Sequence, residues 1–393
     1  MKSLHESSAW PDLGCCLLDR NVLTADWIPA FSHVRRAAFL PDVIWPYDTG
    51  TCGSFLVDRA RDPREWHAYA DANVPIVTQW DDGRRHGDRT AGEESTSSAS
   101  MPSVVFAMLR DLQALPGDRV LEIGTGTGWN AALLAHRLGA ENVTSVEVDP
   151  DVADAARRSL GRFGLPVDVV TADGTAGAPH RAPYDRIIAT CGVRELPYAW
   201  VEQTRPGGTV LVPWGTCHGT MDATVRLVVS DDGRSAAGRF LEPVEFMKLR
   251  SQRPAWPRHA DYVPADGHGA ERSTTTITEK AFGTGRFDDA HFAVGLQVRD
   301  CVRSVAQERD GRRPVWLYSL TDRSWAVVVF RDDGQDAVVH QAGARALWDE
   351  VEAAWHWWDL SGRPGIGRFG LTVSPEGQTA WLDSPDHPVP VVG

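Results

Sequence analysis

The chain has 393 residues, 42% hydrophobic and 24% charged, which suits an ordinary globular protein with two or three cores. A formal net charge of −13 argues against a dedicated nucleic-acid binder, which needs a basic face to neutralise phosphates. No apolar run reaches the ~18–20 residues that span a bilayer, and the start, MKSLHESSAWPDLG, lacks the apolar stretch of a signal peptide. A cytoplasmic protein with neither nucleic acid nor membrane as partner is expected; the oligomeric state is not legible.

Residues 1–80 carry short apolar segments broken by Pro and Asp, such as 39-FLPDVIW-45 and 74-VPIVTQW-80, and read as loops with a few short elements. The polar stretch 81-DDGRRHGDRTAGEESTSSAS-100 has no hydrophobic periodicity and reads as loop or linker. A βα rhythm follows. Helix is expected over 102–113, strand over 119–123, helix over 129–138, strand over 143–148 and helix over 150–160. Strands at 167–172 and 185–190, a helix near 197–204 and a strand at 209–214 continue it. Alternation of this kind implies an α/β fold with a mostly parallel sheet covered on both faces.

Residues 223–247 then form two strand-like arms about a DDG turn, an antiparallel hairpin. The Pro-, Gly-, His- and Thr-rich stretch 251–285 reads as a linker. An α+β region follows over 286–393, with strands at 314–320 and 324–330, a helix at 346–358 and a hairpin at 369–383. Six cysteines (15, 16, 52, 191, 217 and 301) show no CxxC pair and no His at ligand spacing, so free thiols and no metal site are expected.

The chemistry concentrates in 119-RVLEIGTGTGWNAALLAHRLGAENVTSVEVD-149. Its glycines, Gly124, Gly126 and Gly128, are spaced two apart between a strand and a helix, where they let the backbone turn sharply and approach a ligand closely. Acidic Glu122 precedes them, Glu147 ends the next strand where a ribose would lie, and Asp173 ends the strand after that. A pyrophosphate ligand wants a helix N-terminus free of acids. Three acids around the loop therefore favour S-adenosylmethionine over a dinucleotide. Thr125, Val148 and Gly174 join the candidate cofactor contacts through their places in these motifs.

The stretch 120-VLEIGTGTGWNAALLA-135 resembles the first motif of the protein-L-isoaspartate O-methyltransferases. The likeness continues through 143-VTSVEVD-149, 172-ADGTAG-177, 182-APYDRIIATCGV-193, 205-RPGGTVLVPWG-215 and the hairpin ending 244-VEFMKL-249. Upstream, 98-SASMPSVVFAML-109 is similar to the family signature ahead of the first long helix. The resemblance covers roughly residues 86–250. It implies a Rossmann-like class I methyltransferase that uses S-adenosylmethionine and releases S-adenosylhomocysteine. It also puts the active-site serine at Ser100 and a second hydroxyl at Ser98. Thr190, ending the fourth strand, is a further candidate for the pocket by its position, with simple strand packing its other role. Helix capping ahead of Pro102 is the other role open to the two serines. Methyl transfer to a carboxylate needs little acid–base help, because the ionised oxygen is already the nucleophile.

The implied division is an N-terminal extension (1–85), a methyltransferase domain (86–250), a linker (251–285) and a C-terminal accessory domain (286–393). A repair enzyme is expected to be little more than the core. The stretches 74-VPIVTQWDDG-83 and 363-RPGIGRFGLTVSPEGQTAWLD-383 resemble a subgroup that accompanies graspetide ATP-grasp ligases or lanthipeptide synthetases. That resemblance implies a modified, pre-cyclised precursor peptide as partner. One aspartate of it would be methylated and would then close to a succinimide (aspartimide), with Trp355, Trp357, Arg363 and Arg368 candidate peptide contacts. The alternative is repair of isoaspartyl residues in damaged proteins. A non-catalytic binding module is a third reading, against which the intact glycine loop, Glu147 and Asp173 speak.

Overall fold

The structure, a computed structural model, describes residues 13–48, 50–51, 53–84, 90–264, 269–331 and 336–392. The start of the chain, Cys52 and parts of the polar stretch 81–100 and of the linker lie outside the described residues.

Among the described residues, the first hundred positions carry more regular structure than their sequence suggests. Helices α1 (Leu13–Asp19) and α2 (Ile28–His33) bury Leu17, Trp27 and Ala30 in one core with Phe106, Leu109 and Trp129. An antiparallel sheet joins β1 (Val43–Asp48), β2 (Gly53–Ser54), β3 (Val57–Asp58), β4 (Ile76–Trp80) and β5 (Ser95–Ala99). Helix α3 (Pro63–Ala70) starts at Asp62, whose carboxylate accepts from Glu65 N at 2.9 Å, and buries Trp66 and Tyr69 against this sheet. The N-terminal body therefore runs to residue 99 and not 85, and the last part of the expected loop is a strand. β5, STSSA, shows no apolar alternation because its order comes from partners distant in sequence. It pairs with β4 (Ile76↔Ala99, Val77↔Ser98) and its end is held by Arg36.

The central domain carries the expected α/β pattern. It comprises α4 (Pro102–Leu112), β6 (Val120–Ile123), α5 (Trp129–Leu138), β7 (Val143–Glu147), α6 (Pro150–Arg162), β8 (Asp168–Thr171), β9 (Tyr184–Ala189), α7 (Tyr198–Glu202), β10 (Thr204–Gly215), β11 (Asp222–Val229) and β12 (Ala236–Val244). β8, β7, β6, β9 and β10 are parallel neighbours in that order, and β11 and β12 add antiparallel strands. The chain steps from β6 to β7 on one side and later places β9 on the other. The crevice at the carboxyl ends of β6 and β9 is thus a topological switch point, where open α/β sheets bind ligands.

A second antiparallel sheet, β13 (Glu271–Thr275), β14 (Cys301–Val305), β15 (Arg312–Ser319), β16 (Trp325–Arg331) and β17 (Ala337–Ala342), makes a C-terminal body. Helix α8 (Glu279–Phe282), α9 (Asp289–Gln297) and α10 (Leu347–Leu360) pack with it, with Trp348 and Trp355 in its core. Two expectations shift here. β13 and α8 fall inside the expected linker yet belong to this body. The last hairpin, β18 (Phe369–Ser374) and β19 (Gly377–Leu382), leaves the accessory region and pairs with β12, widening the central sheet to nine strands. Pairing across so long a separation leaves no local mark in the sequence.

Candidate active site

One cleft at the switch point is lined by the glycine loop, the end of β7, the segment 96–100, Thr190 and Cys191, and the strap 246–250 with Arg253. The loop turns through the left-handed region at Gly124 (φ +94°), where a Cβ would stand 2.9 Å from Thr190 Oγ1. At Gly126 (φ +54°) a Cβ would stand 3.4 Å from the carbonyl oxygen of Ser98. Only glycine lets the loop pass between these two walls.

Glu147 ends β7 at the cleft with a fixed carboxylate. Gly126 N donates to its Oε2 at 2.9 Å and Asp149 N to its Oε1 at 3.0 Å. Burial raises its pKa against those two bonds. Each oxygen keeps a lone pair for a ligand hydroxyl. Thr190 Oγ1 donates to the carbonyls of Gly124 (2.5 Å) and Ile123 (3.3 Å), so it lines the cleft with its proton committed to the loop.

Ser98 and Ser100 both line the cleft, and neither caps α4. The capping residue is Met101, which has no side-chain cap, while Asn73 Oδ1 accepts from Ser103 N at 2.8 Å. Arg36, fully enclosed, fixes this corner. Its guanidinium donates to the carbonyls of Ala72 (3.2 Å), Val74 (3.0 Å), Ala99 (2.8 Å) and Ser100 (3.1 Å). Burial without a touching carboxylate lowers its pKa to about 9.

Three candidate cofactor residues stand elsewhere. Glu122 lies beneath the loop, wholly buried and away from the cleft lining, with Asn130 Nδ2 (2.7 Å) and Ser145 Oγ (2.5 Å) donating to it. Burial pushes its carboxyl up to about 7. Ser145 Oγ also meets Thr125 Oγ1 at 2.6 Å, so Glu122 anchors the loop from below. Gly128 (φ +85°) starts α5 against Ala156 on α6. Asp173 is exposed at the rim and accepts from Thr175 N at 2.9 Å, although its neighbour Gly174 reaches the cleft. Thr125 and Val148 also line it.

The strap after β12 supplies lining residues that the motif 244-VEFMKL-249 did not single out. Phe246, Met247, Lys248, Leu249 and Arg250 roof the cleft, and Gly192 N donates to Met247 O and Leu249 N to Gly192 O. Arg250 bridges Asp82 (3.0 Å) on the N-terminal body to Asp149 (3.2 Å) beyond β7, and Arg253 meets the same Asp82 at 2.9 Å. Asp149 is pushed up by burial, but the bonds from Gln79, Val152 N and Arg250 prevail and hold it below the usual range. The cluster of arginines between Met247 and Pro254 was the available signal. Cys191 lines the cleft with its thiol raised to about 12 by burial, so it stays protonated and is no nucleophile.

The tail candidates are in local structure and not at the cleft. Trp355 is core, Trp357 and Trp358 pack against the central core, Arg363 pairs with Asp359 at 2.7 Å and Arg368 with Asp383 at 2.6 Å. Among the described residues no helix is long and apolar enough to cross a membrane, and no group of three or more His, Cys, Asp or Glu is placed to hold a metal.

Comparison with known proteins gives one consistent family. The profile of the Protein-L-isoaspartate(D-aspartate) O-methyltransferase family matches residues 60–253. A protein-L-isoaspartate O-methyltransferase of Pyrococcus horikoshii is 41% identical over 134 residues, 34% of this chain and 60% of that one. The protein-L-isoaspartate O-methyltransferase 1 of a Polaromonas species is 32% identical over 191 residues, 48% of this chain and 72% of that one. This chain thus spans about 60% of the length of the Pyrococcus relative. A solved structure described as a protein-L-isoaspartate O-methyltransferase superposes with a TM-score of 0.53 at 22% identity, covering 95% of this chain and 99% of its own. The likeness in fold thus extends to the bodies that flank the core.

Proposed function

The chain belongs to the protein-L-isoaspartate(D-aspartate) O-methyltransferase family, and on that premise we propose that it methylates a side-chain or isoaspartyl carboxylate of a peptide with S-adenosylmethionine. The observation that carries this reading is the meeting of Ser98 and Ser100, the bare glycine loop and the pinned Glu147 in one cleft at the switch point. The residues fit the donor. Glu147 has free lone pairs for two ribose hydroxyls, and the bare glycines let the loop lie close against Thr190 and Ser98 at the cleft.

When bound, the donor supplies a methyl group on a sulfonium: a carboxylate oxygen forms the O–C bond as the S–C bond breaks, the electron pair returns to sulfur, and no proton moves. The protein's part is alignment. β5 and Arg36 hold the Ser98–Ser100 segment at the cleft wall, which supports a role for the two serines in holding the acceptor carboxylate. The strap adds a wall to the cleft, and protein in place of water strengthens the attraction between carboxylate and sulfonium.

The names of the relatives support an isoaspartyl acceptor in damaged proteins. A second reading is an ordinary aspartate in a ribosomally made, pre-cyclised peptide of graspetide or lanthipeptide type. It is favoured by the strap tied through Arg250 and Arg253 to the N-terminal body and to the end of β7, since a cleft wall built from several elements offers more anchors for one constrained peptide. There the next backbone nitrogen attacks the ester carbonyl, its proton leaves with the methoxide as methanol, and a succinimide remains.

Mass spectrometry separates the two. The protein is incubated with the donor and either an isoaspartyl peptide or an aspartyl macrocycle. A methyl ester on the first supports repair. An ester on the second that gives way to the dehydrated ring supports the peptide-tailoring reading. Absence of methylation on both would overturn the proposal, and a fully active Ser100→Ala variant would remove that serine from it.

A further inference from the structure

The chain contains three lysines, Lys2, Lys248 and Lys280, and one of them stands in the cleft wall. The Lys248 side chain is only 10% exposed, and its Nζ reaches both oxygens of Asp222 on β11, at 2.5 and 2.6 Å. Its third contact, to Phe246 O, lies at the 3.5 Å limit, so one N–H of the ammonium has no good acceptor among these partners.

The surroundings are cut to fit this pair. A Cβ on Gly192 would lie 2.6 Å from Asp222 Oδ2 and 3.0 Å from Lys248 Nζ, and one on Gly215 would lie 2.1 Å from Asp222 Oδ1. Gly192 directly follows Thr190 and Cys191 of the cleft lining and bridges to Lys248, itself a lining residue, which puts the pair in the same wall as those two residues. The other cations of the lining, Arg250 and Arg253, are held by Asp82, Asp149 and Glu94. An ion pair taken out of water adds little stability over an apolar pair of the same shape. Its position at the wall of a ligand cleft therefore points to recognition.

We propose that Lys248 binds the acceptor carboxylate, donating its third N–H to the peptide's carboxylate while Asp222 holds the ammonium in place. This rests on the carboxyl-methylation reading. The pair is neutral as a unit, so it offers a directed donor to the anionic acceptor without placing a net positive charge beside the sulfonium. An acceptor with an amide in place of the carboxylate keeps only a neutral oxygen for this contact and loses its charge assistance.

The two members of the pair make separable tests. Lys248→Gln and Asp222→Asn each break the same ion pair, and the double variant replaces it with two amides of similar shape. With whichever peptide the wild-type protein methylates, Lys248→Gln and the double variant should raise the acceptor KM at least about tenfold. Asp222→Asn keeps one side-chain oxygen that accepts from the ammonium and so still holds it, and it should leave that KM within about threefold; all three should keep their affinity for S-adenosylhomocysteine in calorimetry. The wild type should bind the acceptor more tightly than its Asn analogue, and Lys248→Gln should lose that preference. Equal effects of the two single changes on KM, or loss of folded protein in all three variants, would overturn the assignment. A wild type that methylates neither peptide would instead overturn the proposed function.

Discussion

Replacing Glu122 by Gln should stabilise the protein at pH 8 and leave it almost unchanged near pH 4.5. The carboxyl is fully enclosed beneath the glycine loop, and burial raises it from 4.5 to about 7 despite the bonds from Ser145 and Asn130, with the charge of Glu147 adding to the rise. The folded protein keeps this proton up to about pH 7, whereas the unfolded chain releases it above about 4.5. Between those values the folded state binds more protons, so stability falls as pH climbs and levels off above 7. At 1.36 kcal/mol per pH unit, the cost of ionising Glu122 in place is about 3 kcal/mol. Gln can avoid it. Its carbonyl accepts from Asn130 and its amide donates to Ser145 Oγ, which turns its own proton to Thr125. Thermal melting of both proteins from pH 4.5 to 8.5 should show the variant higher by ~4–8 °C at pH 8, the gap closing toward pH 4.5. Affinity for S-adenosylhomocysteine should stay within about threefold, because the side chain does not reach the cleft. A gap that is constant with pH, or a variant that melts lower at pH 8, refutes the reasoning.

Gly124→Ala should weaken binding of S-adenosylhomocysteine by about tenfold or more in calorimetry, since backbone strain of about 1–2 kcal/mol is joined by the contact with Thr190. Gly117→Ala is the control, with a similar φ of +89° and nothing within 4 Å, and it should cost stability alone. Arg36→Met removes the donor to four buried carbonyls and should lower stability by about 3–5 kcal/mol, with kcat/KM falling more than binding of S-adenosylhomocysteine. An unchanged melting temperature would show that the segment 99–100 is held by something else.

The parallel half of the central sheet was readable because its strands are buried on both faces. VLEI at 120–123 and VTSVE at 143–147 appear as uninterrupted buried runs that end at the glycines and acids of the site. β5 was not readable. Its five hydroxyl-rich and small residues carry no alternation, and its place is set by β4 and by Arg36, 63 residues away from Ala99. The same holds for β13, ERSTT, which is exposed at four of its five positions. Within the site, Gly124, Gly126 and Glu147 announce themselves through spacing. Lys248 does not, because its meaning depends on Asp222, 26 residues earlier on another strand. Glu122 shows the opposite limit. Its place in the motif suggested a ligand contact, while its depth in the fold makes it a support.

The return of β18 to β12 also has a consequence for synthesis. Until residues 369–374 leave the ribosome, the outer edge of β12 has no partner, and the whole segment 245–368 must first be made. At ~5–20 residues per second that interval is roughly 6–25 s. A nascent chain in this state presents an open strand edge to its neighbours on the same message. All the strands and helices of the C-terminal body are made in the same interval, so fast synthesis lengthens the queue of chains whose β12 edge is still open before the last hairpin arrives.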